Sequence, residues 1–439
     1  MTVKELIARS KAAQAAFAFA TQEQADAAAR AICKVVYDNA EKLGPMAAEE
    51  SRMGSEQDKI AKCRNKSALI WESLKGKKSC DIINRIEERR MIEVAKPVGV
   101  VASIIPSTNP VVTPMSNGAF ALKCRNSVIF APHPRAVKCT KLLVEMFRAE
   151  LKKLGLPEDL VLGLEEVSND LTSELMSAAD MVVATGGMGM VKAAYSSGKP
   201  AIGVGQGNVQ CIIDEDADIA DAVGKIIIGR AFDNGLICLG EQTVFVPEDK
   251  EAEFVAEMKK QGGYLVEGEE NVDKLREGLF PGGDAFSRVV VGMFADQVSD
   301  EIGLGAPKGT RVLFAKAKAL GAGDVLCREK LCPVIAYMTY KTFKEGVAMM
   351  EANPGARRQG PQHRCPLQHP RKRGIRRHPL LRFPCGCQSA FRYHRRRQPH
   401  QRLHPHHHAG LRHLGQQQLR WQSELRTVHQ HHPRWLSLR

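Results

Sequence analysis

Several absences narrow this chain before any motif is read. No apolar run is long enough to span a membrane, so an α-helical membrane protein is excluded. The 12 cysteines fall without paired spacing, which argues against a disulfide framework and for free thiols in a reducing compartment. No secretory signal opens the sequence, so a cytoplasmic, bacterial setting is expected. Histidine is almost missing from the first 356 residues: 13 of the 14 lie beyond them, and only His133 lies before. The segment 357–439 in turn has almost no acid. There 19 lysines and arginines stand against Glu424 alone, so the net charge of +14 divides into +18 for that segment and −4 for the rest. Two compositions are joined at about Ala356, and the mean charge describes neither.

What is present before that junction is an alternation. At 439 residues the chain is long enough for two domains with a large core. Residues 2–42 are Ala-rich, with Leu6, Ile7, Ala16 and Phe17 at helical spacing, and a second helical run is expected over 47–74. A strand pair is expected over 89–98. The β-branched run 98–106 has the continuous apolar character of a strand buried on both faces, and it ends in Ser107-Thr-Asn-Pro110. Helices and strands then alternate: a helix to Lys123, a strand at 126–132, a helix at 136–154, a strand at 160–164, a helix at 170–178 and a strand at 181–184. Such alternation specifies a parallel, doubly wound sheet, whose ligands bind at the carboxyl ends of the strands. Polar or glycine-rich loops stand at those ends: Ser107–Pro110, His133-Pro-Arg135, Thr185-Gly-Gly-Met-Gly189 ahead of a helix, and Gly203-Val-Gly-Gln-Gly-Asn208. A glycine-rich turn alone is a weak signal, but it lets backbone approach a ligand at a helix amino end, and several together make a cleft. A second α/β unit follows, with strands expected at 243–246, 288–294 and 334–338 and helices at 251–260 and 342–351. In 229–242, Cys238 follows the turn Asn234-Gly235 among small and apolar neighbours. A thiol in that setting is ordinarily a small core residue.

The flanks change that reading. The run Phe232-Asp-Asn-Gly-Leu-Ile-Cys238-Leu-Gly-Glu-Gln242 resembles the nucleophile segment of CoA-acylating aldehyde dehydrogenases. So do Ile105-Pro-Ser-Thr-Asn-Pro110, Pro132-His-Pro-Arg135 and the stretch from Ala184 to Gly207. The resemblance covers about 2–354 and extends to acetaldehyde and propionaldehyde dehydrogenases, to the aldehyde half of bifunctional aldehyde–alcohol dehydrogenases and to microcompartment relatives. It implies the aldehyde dehydrogenase fold: a parallel-sheet cofactor domain with N-terminal helices over 1–235 and a truncated α/β catalytic domain over 236–355. It implies NAD as cofactor and a short-chain aldehyde and CoA as substrates. Carried onto this sequence, it makes Cys238 the nucleophile. Thr108 and Asn109 fall at the oxyanion-stabilising amide, beside the Cys238 backbone amide. Ser107, Thr185, Gly186, Gly187, Gly189 and Gly205 fall at the cofactor, and Glu329, in Glu-x-x-x-Pro, at the nicotinamide ribose. His133 and Arg135 fall near adenosine or CoA phosphates. No metal is implied. Hydrolytic relatives carry a glutamate in Glu-Leu-Gly-Gly; here that stretch is Gly203-Val-Gly-Gln206, so water lacks a base and a thiol takes the acyl group.

After Ala356 the family pattern stops. We read 356–439 as the family's C-terminal region translated out of frame. Read one base out of register, with allowed third bases, His406–Gln418 becomes Thr-Thr-Thr-Leu-Gly-Cys-Gly-Thr-Trp-Gly-Asn-Asn-Ser, which resembles the family's late glycine- and tryptophan-rich segment. The segment is expected to be disordered, and the chain as written to be inactive or nearly so, poorly stable and doubtful as a family-type homo-oligomer. Its apolar strand 334–338 is expected to lose its neighbours. Two other classes stand beside this reading: a basic tail that binds nucleic acid, and a His-rich metal tract such as His406–His408; Cys385 and Cys387 with nearby histidines suggest zinc, but their spacing is not that of a finger. The tail lacks repeats and stacking aromatics, which disfavours nucleic acid as a partner.

Overall fold

The helical start of the chain follows from caps written at its breaks. Thr2 and Thr21 each accept an amide of the first turn while Glu5 and Gln24 reach back, closing capping boxes on α1 (Val3–Phe17) and α2 (Gln22–Asp38). α3 (Ala40–Ser51) and α4 (Glu56–Leu74) divide what the sequence suggested as one run. Arg52 and Gly54 take left-handed backbone at φ 57° and 79°, and Ser55 caps α4. The structure, a computed structural model, describes residues 1–353. The segment 356–439, with its expected frame error and disorder, lies outside the described residues.

β1 (Asp81–Ile86) and β2 (Met91–Ala95) form an antiparallel hairpin. Its first strand precedes the expected pair over 89–98, because the 3₁₀ turn Glu87–Arg89 is the connection rather than a strand. The first parallel sheet is then laid down in regular alternation: β3 (Val100–Ile105), α5 (Val112–Lys123), β4 (Ser127–Pro132), α6 (Val137–Lys153), β5 (Val161–Gly163), α7 (Asn169–Ala178), β6 (Met181–Thr185), α8 (Met188–Tyr195) and β7 (Ala201–Val204). The strand order is β5-β4-β3-β6-β7. Every residue of β3 and β4 is buried, as their unbroken apolar runs require. The direction of winding reverses between β3 and β6, so the loops after Ile105 and Thr185 open side by side.

The second sheet holds β8 (Val209–Ile212), α9 (Ile219–Ala231), β9 (Glu241–Pro247), α10 (Glu251–Lys260), β10 (Gly263–Leu265), α11 (Glu269–Leu279), α12 (Ala295–Ile302), β11 (Val312–Lys316), β12 (Val334–Tyr340) and α13 (Phe343–Ala352). Its order is β10-β11-β12-β9-β8, all parallel. The chain passes from one sheet to the other between β7 and β8, earlier than the division at 235 expected from the sequence. Among the described residues no helix is long and apolar enough to cross a membrane.

Two expectations for this unit fail. The run 288–294 is not a strand. Its Gly292 turns left-handed at φ 71°, donates to Leu331 O and accepts from Gly54 N and Asn234 Nδ2, so its backbone serves three separate segments instead of a ladder. β11, which was not read from the sequence, takes that place. Nor is 334–338 stripped of its neighbours: β12 lies inside the sheet between β11 and β9, with Val334, Ile335 and Ala336 at most 1% exposed.

The end of the described chain is tied down by Asn353, which is 1% exposed. Its Oδ1 accepts from Gly321 N at 2.8 Å, and its Nδ2 donates to Gln210 Oε1 at 2.7 Å and Thr243 Oγ1 at 3.4 Å. Removing one partner of a buried hydrogen bond costs about 1–3 kcal/mol. Asn353→Ala should therefore lower the unfolding free energy from urea titration by an amount in that range; an unchanged free energy would show that the end of α13 is not held by this side chain.

Candidate active site

Each sheet contributes one end to a common space. From the first come the carboxyl ends of β3, β4, β6 and β7. From the second come the amino ends of three adjacent strands, β8, β9 and β12: Gly205–Asn208 leads into β8, Cys238 stands before β9, and Glu329-Lys330 stands before β12.

The turn ahead of Cys238 is conformationally extreme. Asp233, Asn234 and Gly235 all lie in the left-handed region, at φ 49°, 51° and 73°, where Asn, Asp and Gly are the tolerant residues. At Gly235 a Cβ would also stand 2.6 Å from Cys332 O. The strain is held by a buried ionic knot. The Asp233 side chain is fully buried; its Oδ1 accepts from Ser55 N at 3.1 Å, and its Oδ2 from Lys59 Nζ at 3.2 Å and from Lys62 Nζ. Its own amide donates to Asp58 Oδ2 at 2.9 Å. Two carboxylates thus face two ammoniums, which is the condition for burying such charges. Burial raises the pKa of Asp58 and lowers that of Lys59.

On the other side of the turn, fully buried Arg230 donates to Cys332 O at 3.1 Å, Glu241 O at 3.3 Å and Gly235 O at 3.5 Å, and also to Lys330 O. Lys330 is equally buried and donates to Gln242 O, Leu326 O and Arg328 O at 3.2, 2.5 and 2.9 Å. Burial and the neighbouring Arg230 push its pKa down to about 7. The two cations lace the start of β9 to the loop before β12.

Cys238 itself is half-buried. Desolvation, then the charge of Glu329, raises its thiol pKa, while Lys66 and Lys62 oppose them. Glu329 accepts from Gly207 N at 2.8 Å. Burial pushes its carboxyl up to about 7, against the pull of that amide, Arg230 and Lys330. Gly207 is as close to Cys238 as backbone allows, since a Cβ there would stand 2.3 Å from Cys238 O. Asn109 enters from the first sheet. Its Oδ1 accepts from Lys62 Nζ at 3.0 Å and its Nδ2 donates to Thr108 Oγ1 at 3.3 Å.

The cofactor loops meet a different test. Thr185 Oγ1 is buried without a hydrogen-bond partner. Gly187 and Gly189 have no left-handed φ, and a Cβ at either would meet nothing within 4 Å. Nothing inside the fold demands glycine there. An open cradle at the amino end of α8, with an unused hydroxyl beside it, fits a phosphate-bearing group such as a dinucleotide. Gly186 and Gly205 stand half-buried next to it, with Gly186 N donating to Val204 O at 3.1 Å. Ser107 and Thr108 are half-buried after β3. His133 and Arg135 are exposed after β4, where His133 Nδ1 accepts from Arg135 N at 3.0 Å. Burial and then the charge of Arg135 lower the His133 pKa, which favours its neutral form.

The sequence reading missed Lys59, Lys62, Lys66, Asp233, Arg230 and Lys330. The first three were legible, since their spacing puts them on one face of α4. Asp233 lay inside a segment read only for its turn. Nothing in the sequence separates Arg230 or Lys330 from surface cations.

The sequence model of the aldehyde dehydrogenase family matches residues 1–274. The succinate-semialdehyde dehydrogenase (acetylating) of Clostridium kluyveri is 47% identical over 353 residues, covering 80% of this chain and 78% of the relative. The structure of an acetylating aldehyde dehydrogenase from Geobacillus thermoglucosidasius superposes with a TM-score of 0.75 at 36% identity, over 80% of this chain and 77% of that one. A Rhodopseudomonas palustris propionaldehyde dehydrogenase with bound propionyl-CoA superposes with a TM-score of 0.70 at 28% identity, over 80% and 78%.

The glycines separate two roles experimentally. Gly207→Ala forces a methyl onto Cys238 O and should lower both stability and any turnover. Gly187→Ala meets open space and should leave the unfolding free energy within about 1 kcal/mol of the parent while weakening NAD binding in calorimetry. Equal effects of the two substitutions would contradict this division.

Proposed function

The chain belongs to the aldehyde dehydrogenase family, and from that premise we infer that it converts a short aldehyde, CoA and NAD into acyl-CoA and NADH through a thioester on Cys238. The observation that carries the inference is the convergence on one half-buried thiol of the Asn109 loop, by way of Lys62 and Asp233, and of the Gly207–Glu329 pair. The acyl-CoA-forming activity, with NAD and CoA as cosubstrates, is that of its relatives, and it stands over the alternative of a basic-tailed binding protein. In our reading the first sheet holds NAD and the second presents the nucleophile. Gln206 carries an amide where a base for water would be needed, so the acyl group waits for a thiol.

NAD supplies the hydride acceptor when bound over the Thr185–Gly189 turn. The chain's own residues do the rest. Cys238 loses its proton, and the thiolate adds to the aldehyde carbon. The oxygen that becomes anionic lies between the Cys238 amide and Asn109 Nδ2. Return of that charge to carbon expels hydride and leaves a thioester on Cys238. Attack by the CoA thiolate then releases Cys238 as thiolate and acyl-CoA as product. Glu329, ionised, would hold the nicotinamide ribose through its hydroxyls.

In a chain whose reading frame is restored beyond Ala356, Cys238→Ala should abolish CoA-dependent NADH formation, tested with both propionaldehyde and succinate semialdehyde, while NAD still binds in calorimetry. Retained turnover would remove Cys238 from the mechanism.

Glu329 gives the reaction a pH signature. Its folded pKa, about 7, lies above the ordinary 4.5. Its protonated form therefore adds stability that is fully present below about pH 4.5 and is lost as pH rises through about 7. Ribose binding needs the ionised form, so the KM for NAD should fall between about pH 6 and about pH 8 while stability declines. Glu329→Gln should flatten both trends; a profile the substitution leaves unchanged would assign the ionisation elsewhere.

A further inference from the structure

We propose that Lys62 is a positioning residue that sets the direction of the Asn109 amide and locks it to the turn carrying the nucleophile. The inference rests on the reading of Asn109 as an oxyanion donor. An asparagine amide offers an acceptor on one side and donors on the other, and it must be aimed to be useful. The Lys62 ammonium can only donate. At 3.0 Å from Asn109 Oδ1 it fixes which end faces it. Nδ2 is thereby turned away from Lys62, one hydrogen donated to Thr108 Oγ1 at 3.3 Å and the other available to a substrate oxygen.

The same ammonium bonds Asp233 Oδ2, in the first of three left-handed residues that lead to Cys238. Lys62 thus ties the two groups that must meet the same carbonyl: the amide that receives its oxygen and the turn whose sulfur attacks its carbon. The Lys62 and Lys59 side chains are each 4% exposed and that of Asp233 is fully buried. In such a setting water cannot substitute for a lost contact. Lys59 bonds the same carboxylate oxygen, so Asp233 keeps a counter-charge when Lys62 is removed. That arrangement makes a neutral variant at Lys62 informative about position.

The test is a double-mutant cycle on the full chain with its reading frame restored beyond Ala356: Lys62→Met, Asn109→Ala and the pair, with Lys62→Arg as the conservative variant. The readout is single-turnover NADH release at stoichiometric enzyme, with the KM for NAD measured alongside. Lys62→Met should lower the rate about 10²–10³-fold, the loss typical of removing one oxyanion donor, with the KM for NAD little changed. In the Asn109→Ala background the same substitution should cost less than about 5-fold, because the two act as a unit. Lys62→Arg should recover part of the rate. An equal loss in both backgrounds would reduce Lys62 to a structural role and overturn the proposal. Asn109→Ala with full rate would instead remove Asn109 as oxyanion donor. A crystal structure of the Lys62→Met chain gives a readout independent of turnover: an Asn109 amide that keeps its orientation without Lys62 would also overturn the proposal.

Discussion

The Asp233 carboxylate is the contact on which the rest of the site depends. It lies at the start of a turn whose three residues occupy backbone conformations that cost energy for all but glycine. It is fully buried, and its oxygens are bonded by one backbone amide and two lysines. Without those donors the turn would relax, and Cys238, five residues on, would lose its place. The lysines come from α4, a helix of the N-terminal bundle that belongs to neither sheet. The bundle, far from Cys238 in sequence, thus holds the turn that carries it.

The rule that α/β proteins bind ligands at strand carboxyl ends describes half of this molecule. The first sheet obeys it at its switch point between β3 and β6. The second sheet turns its amino ends to the same space and delivers Cys238, Glu329 and Gly207 from there. The two large buried cations, Arg230 and Lys330, face backbone carbonyls at these amino ends. A cation with carbonyl partners holds loops in register without placing an anion beside the thiolate that must form.

Much of the first sheet was legible because its physics is local. Runs such as 98–106 and 126–132 are apolar on both faces, and the strands found there are fully buried. The loops that close them were readable by their polar and glycine content. The second unit was harder. The run 288–294 is apolar and β-branched like a strand, but Gly292 and its three backbone partners make it a junction, while β10 has only three half-buried residues and β11, apolar over Val312–Ala315, was passed over. The fate of 334–338 was misjudged because sequence order says nothing about which strand becomes central. Cys238 and Asn109 were found through family resemblance. The face of α4 that carries Lys62 was legible, but its pairing with Asp233 needed three dimensions, since a lysine on α4 and an aspartate in a distant turn carry no sign of each other.

The four residues from Gly205 to Asn208 are the only covalent passage from one sheet to the other among the described residues. A strap of four residues reaches about 14 Å at full extension, which bounds how far the two units can part. This strap also touches the chemistry, through Glu329 at the Gly207 amide and through the Cys238 carbonyl against Gly207. Any rotation of one unit over the other must bend here. The link between the two sheets is therefore also a neighbour of Cys238 and Glu329, so a change in the strap's conformation is a change in the surroundings of the thiol.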